Sequence, residues 1–171
     1  MAGKRPWLSD FHPGGNGDYA YRGGHKQFSG GADCFRRFRL TVGICTAAAA
    51  ACVIASGCLP VSALYNTAYV MLPYVIEVVL TVAFVWSAVR LLANGELLRG
   101  YVHRQTAQRL PVLGAALALA VAATLVCTVI FVALHWPVAP WFWGLIALQF
   151  ILILSSLYSI KVLRAARWTD V

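Results

Sequence analysis

Glu77 is the one formally charged residue well inside a long apolar run of this chain. A carboxyl in that setting must be paired, protonated or reached by water, and ionisable groups so placed are functional candidates by default. Its neighbours at helical spacing are Tyr74 and Thr81, whose hydroxyls could bond it, and Pro73 lies one turn before. Proline withholds a backbone donor and frees the carbonyl of Tyr69, so a kink or a wet spot is expected beside the acid. Proton or substrate handling would need a second acid or base nearby. The spans offer none, since Arg90 is about 20 Å further along the same helix. The lone carboxyl therefore reads first as a structural or assembly hydrogen-bonding group, and second as a carrier. Its depth depends on register. A helix starting at Thr67 puts it near the midplane, and one starting at Pro73 puts it about two turns from the surface.

The other reactive residue types are scattered. Cys34, Cys45, Cys52, Cys58 and Cys127 contain no CxxC, so a redox pair is missing, and thiols in apolar runs behave as small hydrophobes. His25 with Cys34 is too little for zinc. His12, His25 and His103 fall outside the apolar runs and His135 at the edge of one, so no bis-imidazole haem site is implied. No Gly-rich segment leads into a Lys-Ser/Thr pair. The residues imply no catalytic set, no metal and no cofactor.

The elements that must position Glu77 follow from composition. Of 171 residues, 60% are hydrophobic and 12% charged, with mean hydropathy +0.71, well away from the usual soluble balance. The apolar mass forms four runs, residues 40–59, 67–92, 110–134 and 141–162, each long enough to cross a bilayer as a helix. The expected fold is an all-α integral membrane protein, a bundle of four transmembrane helices. The first run resembles a signal peptide only in its preceding arginines and Ala-rich end; it starts too late and runs too long.

All 14 Lys and Arg lie in the segment before the first run, in the connection between the second and third runs with Arg90 at its edge, or in the tail counted from Lys161 at the end of the fourth run. The connections 60–66 and 135–140 hold none. The positive-inside rule then places both termini on the cytoplasmic or matrix side, in a bacterial plasma membrane or a mitochondrial inner membrane. The net charge of +8 reads as topology and attraction to anionic lipid headgroups; no nucleic-acid module surrounds it.

Helices in lipid associate by close packing, so rows of small residues matter. Gly43, Ala47, Ala51 and Ala55 in the first span and Gly114, Ala118 and Ala122 in the third predict a direct contact between those two. Trp136, Trp141 and Trp143 predict an aromatic interface belt. The loop 93–109 predicts a short amphipathic helix, broken at Gly95 and Gly100. The domain plan is an arm (1–39), a helical domain (40–163) and a tail (164–171). The arm is Gly-rich and expected to be disordered by itself. If ordered, it would be held by Trp7, Phe11, Tyr19, Tyr21 and Phe28, most naturally on a partner's surface.

No motif resembles a known family. The chain lacks the cysteine pairs of membrane thiol oxidoreductases and the first-helix acid of small four-span drug exporters. The expected function is that of an accessory or structural subunit of a larger membrane complex, energy-transducing or transporting. It would bind other membrane subunits through its spans and arm. The alternative is a small oligomeric transporter or channel using Glu77.

Overall fold

The computed structural model describes residues 24–171, and the backbone alone of 11–13 and 19–21. Four helices are long and apolar enough to cross a membrane: α1 (Gly31–Cys58), α3 (Ala68–Ala93), α5 (Leu110–Leu134) and α6 (Trp141–Ala165). Between them lie two short helices, α2 (Ser62–Asn66) and α4 (Gly100–Gln105). The strands are β1 (Phe11–Pro13), β2 (Tyr19–Tyr21), β3 (His25–Phe28), β4 (Leu97–Arg99) and β5 (Trp168–Asp170).

The helix boundaries follow the apolar runs closely, with one difference. α1 starts at Gly31, nine residues before the expected span and inside the expected arm. Those first turns are amphipathic. Phe35 and Phe38 are buried while Arg36, Arg37 and Arg39 are exposed, a pattern that average hydropathy passes over. Pro73 sits within α3, so the helix that begins near Thr67 is the one formed, and Glu77 lies about 14 Å from its start.

The long helices close a ring: α1 packs on α6, α6 on α5, α5 on α3, and α3 on α1, the last seam being the thinnest. The expected direct contact between the first and third spans is not formed, because α1 and α5 lie across the diagonal. Ala47, Ala51 and Ala55 face outward, and α1 turns Val42, Cys45, Ala49, Cys52, Val53 and Ser56 inward instead. Gly43 faces Leu92 of α3, 3.8 Å from where its Cβ would be. At Gly114 a Cβ would meet Ile160 of α6 at 3.0 Å and Phe84 of α3 at 3.5 Å. Large side chains from the adjacent helices fill the notch, which buries more surface than small residues meeting each other. Ala118 and Ala122 are half-buried.

The fold is also not wholly α. At the basic end, β4, β3 and β5 form an antiparallel sheet in that order, joining the end of the arm, the loop between α3 and α5, and the tail. Gly95, at φ +73°, turns the chain out of α3 in a conformation that favours glycine. Leu97–Arg99, expected as helix, is then a strand because β3 pairs with it, and β5 covers the other edge of β3. The part of the arm expected to be disordered is thus ordered from residue 24 onward by its own chain. Phe28 is the hinge pin: its ring lies 5.5 Å from Phe35, 5.5 Å from Phe38 and 5.4 Å from Trp168. Backbone pairing of Phe11–Pro13 with Tyr19–Tyr21 makes a separate hairpin. Trp7 and the side chains of Phe11, Tyr19 and Tyr21 lie outside the described residues.

Removal of the Phe28 ring should free the sheet without opening the bundle. In the purified chain, Phe28→Ala is expected to cost about 2 kcal/mol of docking free energy and to expose residues 24–30 to protease. Cleavage rates equal to those of the unsubstituted chain would show that the ring does not hold the arm.

Candidate functional site

The four long helices turn a set of polar side chains inward. Thr46 and Ser56 of α1, Glu77 and Thr81 of α3, Thr124 and Thr128 of α5, and Gln149, Ser156 and Ser159 of α6 are all buried. Most hydroxyls are satisfied by the carbonyl four residues back, as in Thr46 to Val42 at 2.7 Å, Thr81 to Glu77 at 2.8 Å and Thr128 to Thr124 at 2.8 Å. That local bond lets a hydroxyl enter an apolar core at small cost. Glu77 and Gln149 have no such device, so they must find each other.

They do so across the diagonal of the ring. Gln149 Nε2 donates to Glu77 Oε1 at 3.2 Å, and both side chains are 0% exposed. Thr124 of α5 is buried on the same inner face and donates its hydroxyl to the Ala120 carbonyl at 3.1 Å. Two acceptors on the pair, Glu77 Oε2 and Gln149 Oε1, are left with no hydrogen-bond partner. A carboxylate offers only acceptors, and an amide has one acceptor and two donors. One proton on the carboxyl would make Oε2 a donor, and Gln149 Oε1 is an acceptor that lacks one. The arrangement suits a carboxylic acid facing an amide, with α3 and α6 clasped through the bundle centre.

The residues expected to serve Glu77 do something else. Tyr74 sends its hydroxyl to the Val53 carbonyl of α1 at 2.9 Å, and Thr81 bonds the backbone carbonyl of Glu77, not its carboxyl. Pro73 is half-buried one turn away. Gln149, 72 residues further along, was not among the expected partners. A signal for it exists: Gln149, Ser156 and Ser159, with Leu152, recur at three- and four-residue spacing and mark one face of the fourth span. A further interhelical bond runs from Ser155 Oγ to the Cys45 carbonyl at 2.9 Å. All five cysteines are unpaired, and among the described residues no three His, Cys, Asp or Glu converge as a metal site.

A second polar group lies under the sheet at the basic end. Lys26 of β3 and Asp170 of β5 form an ion pair at 2.7 Å, and the Lys26 ammonium holds the Asp170 carboxyl below its usual range. His103 of α4 is buried against the Trp168 ring, 5.5 Å between centroids, with Nδ1 unpartnered. Burial first, then the Lys26 charge, pulls its imidazole below the ordinary value, and Asp170 offsets part of this.

Comparison with known proteins finds no matching family model, no similar curated protein and no similar solved structure. Any functional reading therefore rests on these side chains.

Two predictions follow from the two polar groups. Gln149→Leu strands the Glu77 carboxyl and should destabilise the bundle by about 1–3 kcal/mol. Glu77→Gln replaces the acid by an amide that offers the same donor and acceptor, so its melting temperature in detergent should stay near that of the unsubstituted chain. Equal losses in both variants would contradict the acid–amide pairing. For His103, the unfolded imidazole takes up a proton before the folded one does. Sheet docking should therefore be at full strength above about pH 6.5 and weaken as pH falls through and below it. Amide exchange across residues 24–29 and 167–171 should show this, and His103→Gln should remove the dependence between pH 5 and 7.

Proposed function

We propose that this chain is a multi-pass accessory subunit of a larger membrane assembly. In this reading the sheet, the loop between α3 and α5 and the tail face the cytoplasm or matrix, in a bacterial plasma membrane or mitochondrial inner membrane. The observation that carries it is the division between core and surface. The one charged side chain well inside the apolar spans, away from their ends, is enclosed at 0% exposure and clasped by Gln149, while the outward surface of α1 is left open for packing. Along that surface Ala47, Ala51 and Ala55 are exposed. Beside them the thin α1–α3 seam opens as a groove of about 340 Å³, walled by Ala50, Val53 and Ile54 on one side and Val78, Val82 and Trp86 on the other.

Small exposed residues let a second helix come close, and a groove next to them accepts its side chains. The occupant proposed is a transmembrane helix of another subunit. Transport through Glu77 draws less support, because its carboxyl can exchange with nothing until α3 and α6 part.

A photo-crosslinking side chain at Ala51 is the test, with Leu119 on α5, equally outward, as control. In native membranes the Ala51 position should give one discrete adduct with a membrane protein that co-purifies in fixed ratio. Ala51→Trp should reduce that co-purification about tenfold, the effect of some 1.4 kcal/mol lost from a helix interface. Adducts with lipid alone, together with a purified chain that is monodisperse and active by itself, would overturn the reading.

A further inference from the structure

A different cavity, of about 530 Å³, opens at the basic end of the seam between α3 and α5. Its walls change character along its length. Gln105 at the end of α4, with Gln108 and Arg109 from the segment leading into α5, lines the part nearest the sheet. Ala83 and Trp86 of α3 and Val112 of α5 line the part that runs into the bundle's apolar band. Arg90 follows Trp86 by one turn on the same row of α3 and is half-buried, though it is not part of the cavity wall. Neither Arg90 nor Arg109 forms an ion pair among the described residues, where the one such pair joins Lys26 and Asp170.

The two halves of the cavity ask for different chemistry. A guanidinium flanked by carboxamides recognises a phosphate ester and its hydroxyls, Arg by paired N–H donors and Gln by adaptable ones. A soluble phosphate compound would leave the wall of Trp86, Ala83 and Val112 unused. A neutral lipid would leave the arginine without a partner. One ligand class uses both ends: an anionic phospholipid, headgroup at Arg109 and acyl chain lying along Trp86. The orientation agrees with the charge pattern, since the cytoplasmic leaflet carries the anionic lipid and the basic end faces it on the membrane reading. We propose that the α3–α5 cavity is a specific site for an anionic phospholipid, with Arg109 as its phosphate contact and Trp86 as the wall for its chain. This rests on the membrane reading alone and is independent of whether the chain is a subunit of anything.

Native mass spectrometry on the full chain, released from nanodiscs of equal phosphatidylglycerol and phosphatidylcholine, provides the test. The unsubstituted chain should retain one phosphatidylglycerol with about tenfold preference. Arg109→Gln should abolish the preference, and Arg109→Lys should keep part of it because the charge remains. Trp86→Ala should weaken retention of both lipids. Arg164→Gln, which removes an exposed cation of α6 outside the cavity, should leave the preference unchanged. A melting temperature unaltered in Arg109→Gln separates lost binding from lost folding. Equal retention of the two lipids, or equal loss from Arg109→Gln and Arg164→Gln, would reduce the effect to general surface charge and overturn the site. Displacement by inorganic phosphate at millimolar concentration would reassign it to a soluble anion. Neither result bears on the Ala51 adduct, so failure here and failure of the subunit proposal are told apart.

Discussion

In this bundle the surface is as apolar as the core, so water exclusion cannot tell a helix which side to turn inward. Leu119, Ile44, Val82 and Leu154 are all largely exposed, while Thr128, Gln149 and Glu77 are wholly buried. The deciding constraint is instead the cost of leaving a polar group without a partner in an apolar medium. Most buried hydroxyls meet it within their own helix, Ser56 and Ser156 being left without a partner. Glu77 and Gln149 meet it only by facing each other, and that fixes the rotation of α3 and α6 about their axes. Once those two are set, α5 must present Thr124 and α1 must fill the remaining quadrant with Val42, Ala49 and Val53.

The same constraint accounts for the fate of the small residues. A Gly or Ala row satisfies nothing and fills little, so it goes inward only where a large neighbour needs room. Gly114 gives that room to Ile160 and Phe84. Ala47, Ala51 and Ala55 have no such neighbour within the chain and are turned out. The expectation of a contact between first and third spans treated small residues as mutually attractive, whereas close packing rewards whatever combination buries most surface.

At the basic end the connections act as one unit. Strands contributed by residues 25–28, 97–99 and 168–170 satisfy each other's backbone groups, and Phe28 joins that sheet to the first turns of α1. Ser29 bonds the Arg167 carbonyl through both its backbone N–H and its hydroxyl, tying the two ends of the chain together. This assembly holds the loop that carries Gln105, Gln108 and Arg109 against the mouth of the α3–α5 cavity.

The sequence by itself determined the four apolar helices and their limits within a few residues, because hydropathy and run length are local sums. It also determined the gathering of positive charge into three segments, and the oddity of Glu77, because a charge in an apolar run is visible without any partner. What only the tertiary structure decided was relational. Gln149 as the partner of Glu77, the diagonal placing of α1 and α5, and a strand at Leu97–Arg99 each depend on residues tens of positions away. No local pattern carries that information strongly when both faces of a helix are apolar. The faint row of Gln149, Ser156 and Ser159 was legible, yet what it faced was set by three-dimensional packing, where one unmet hydrogen bond outweighs many interchangeable apolar contacts.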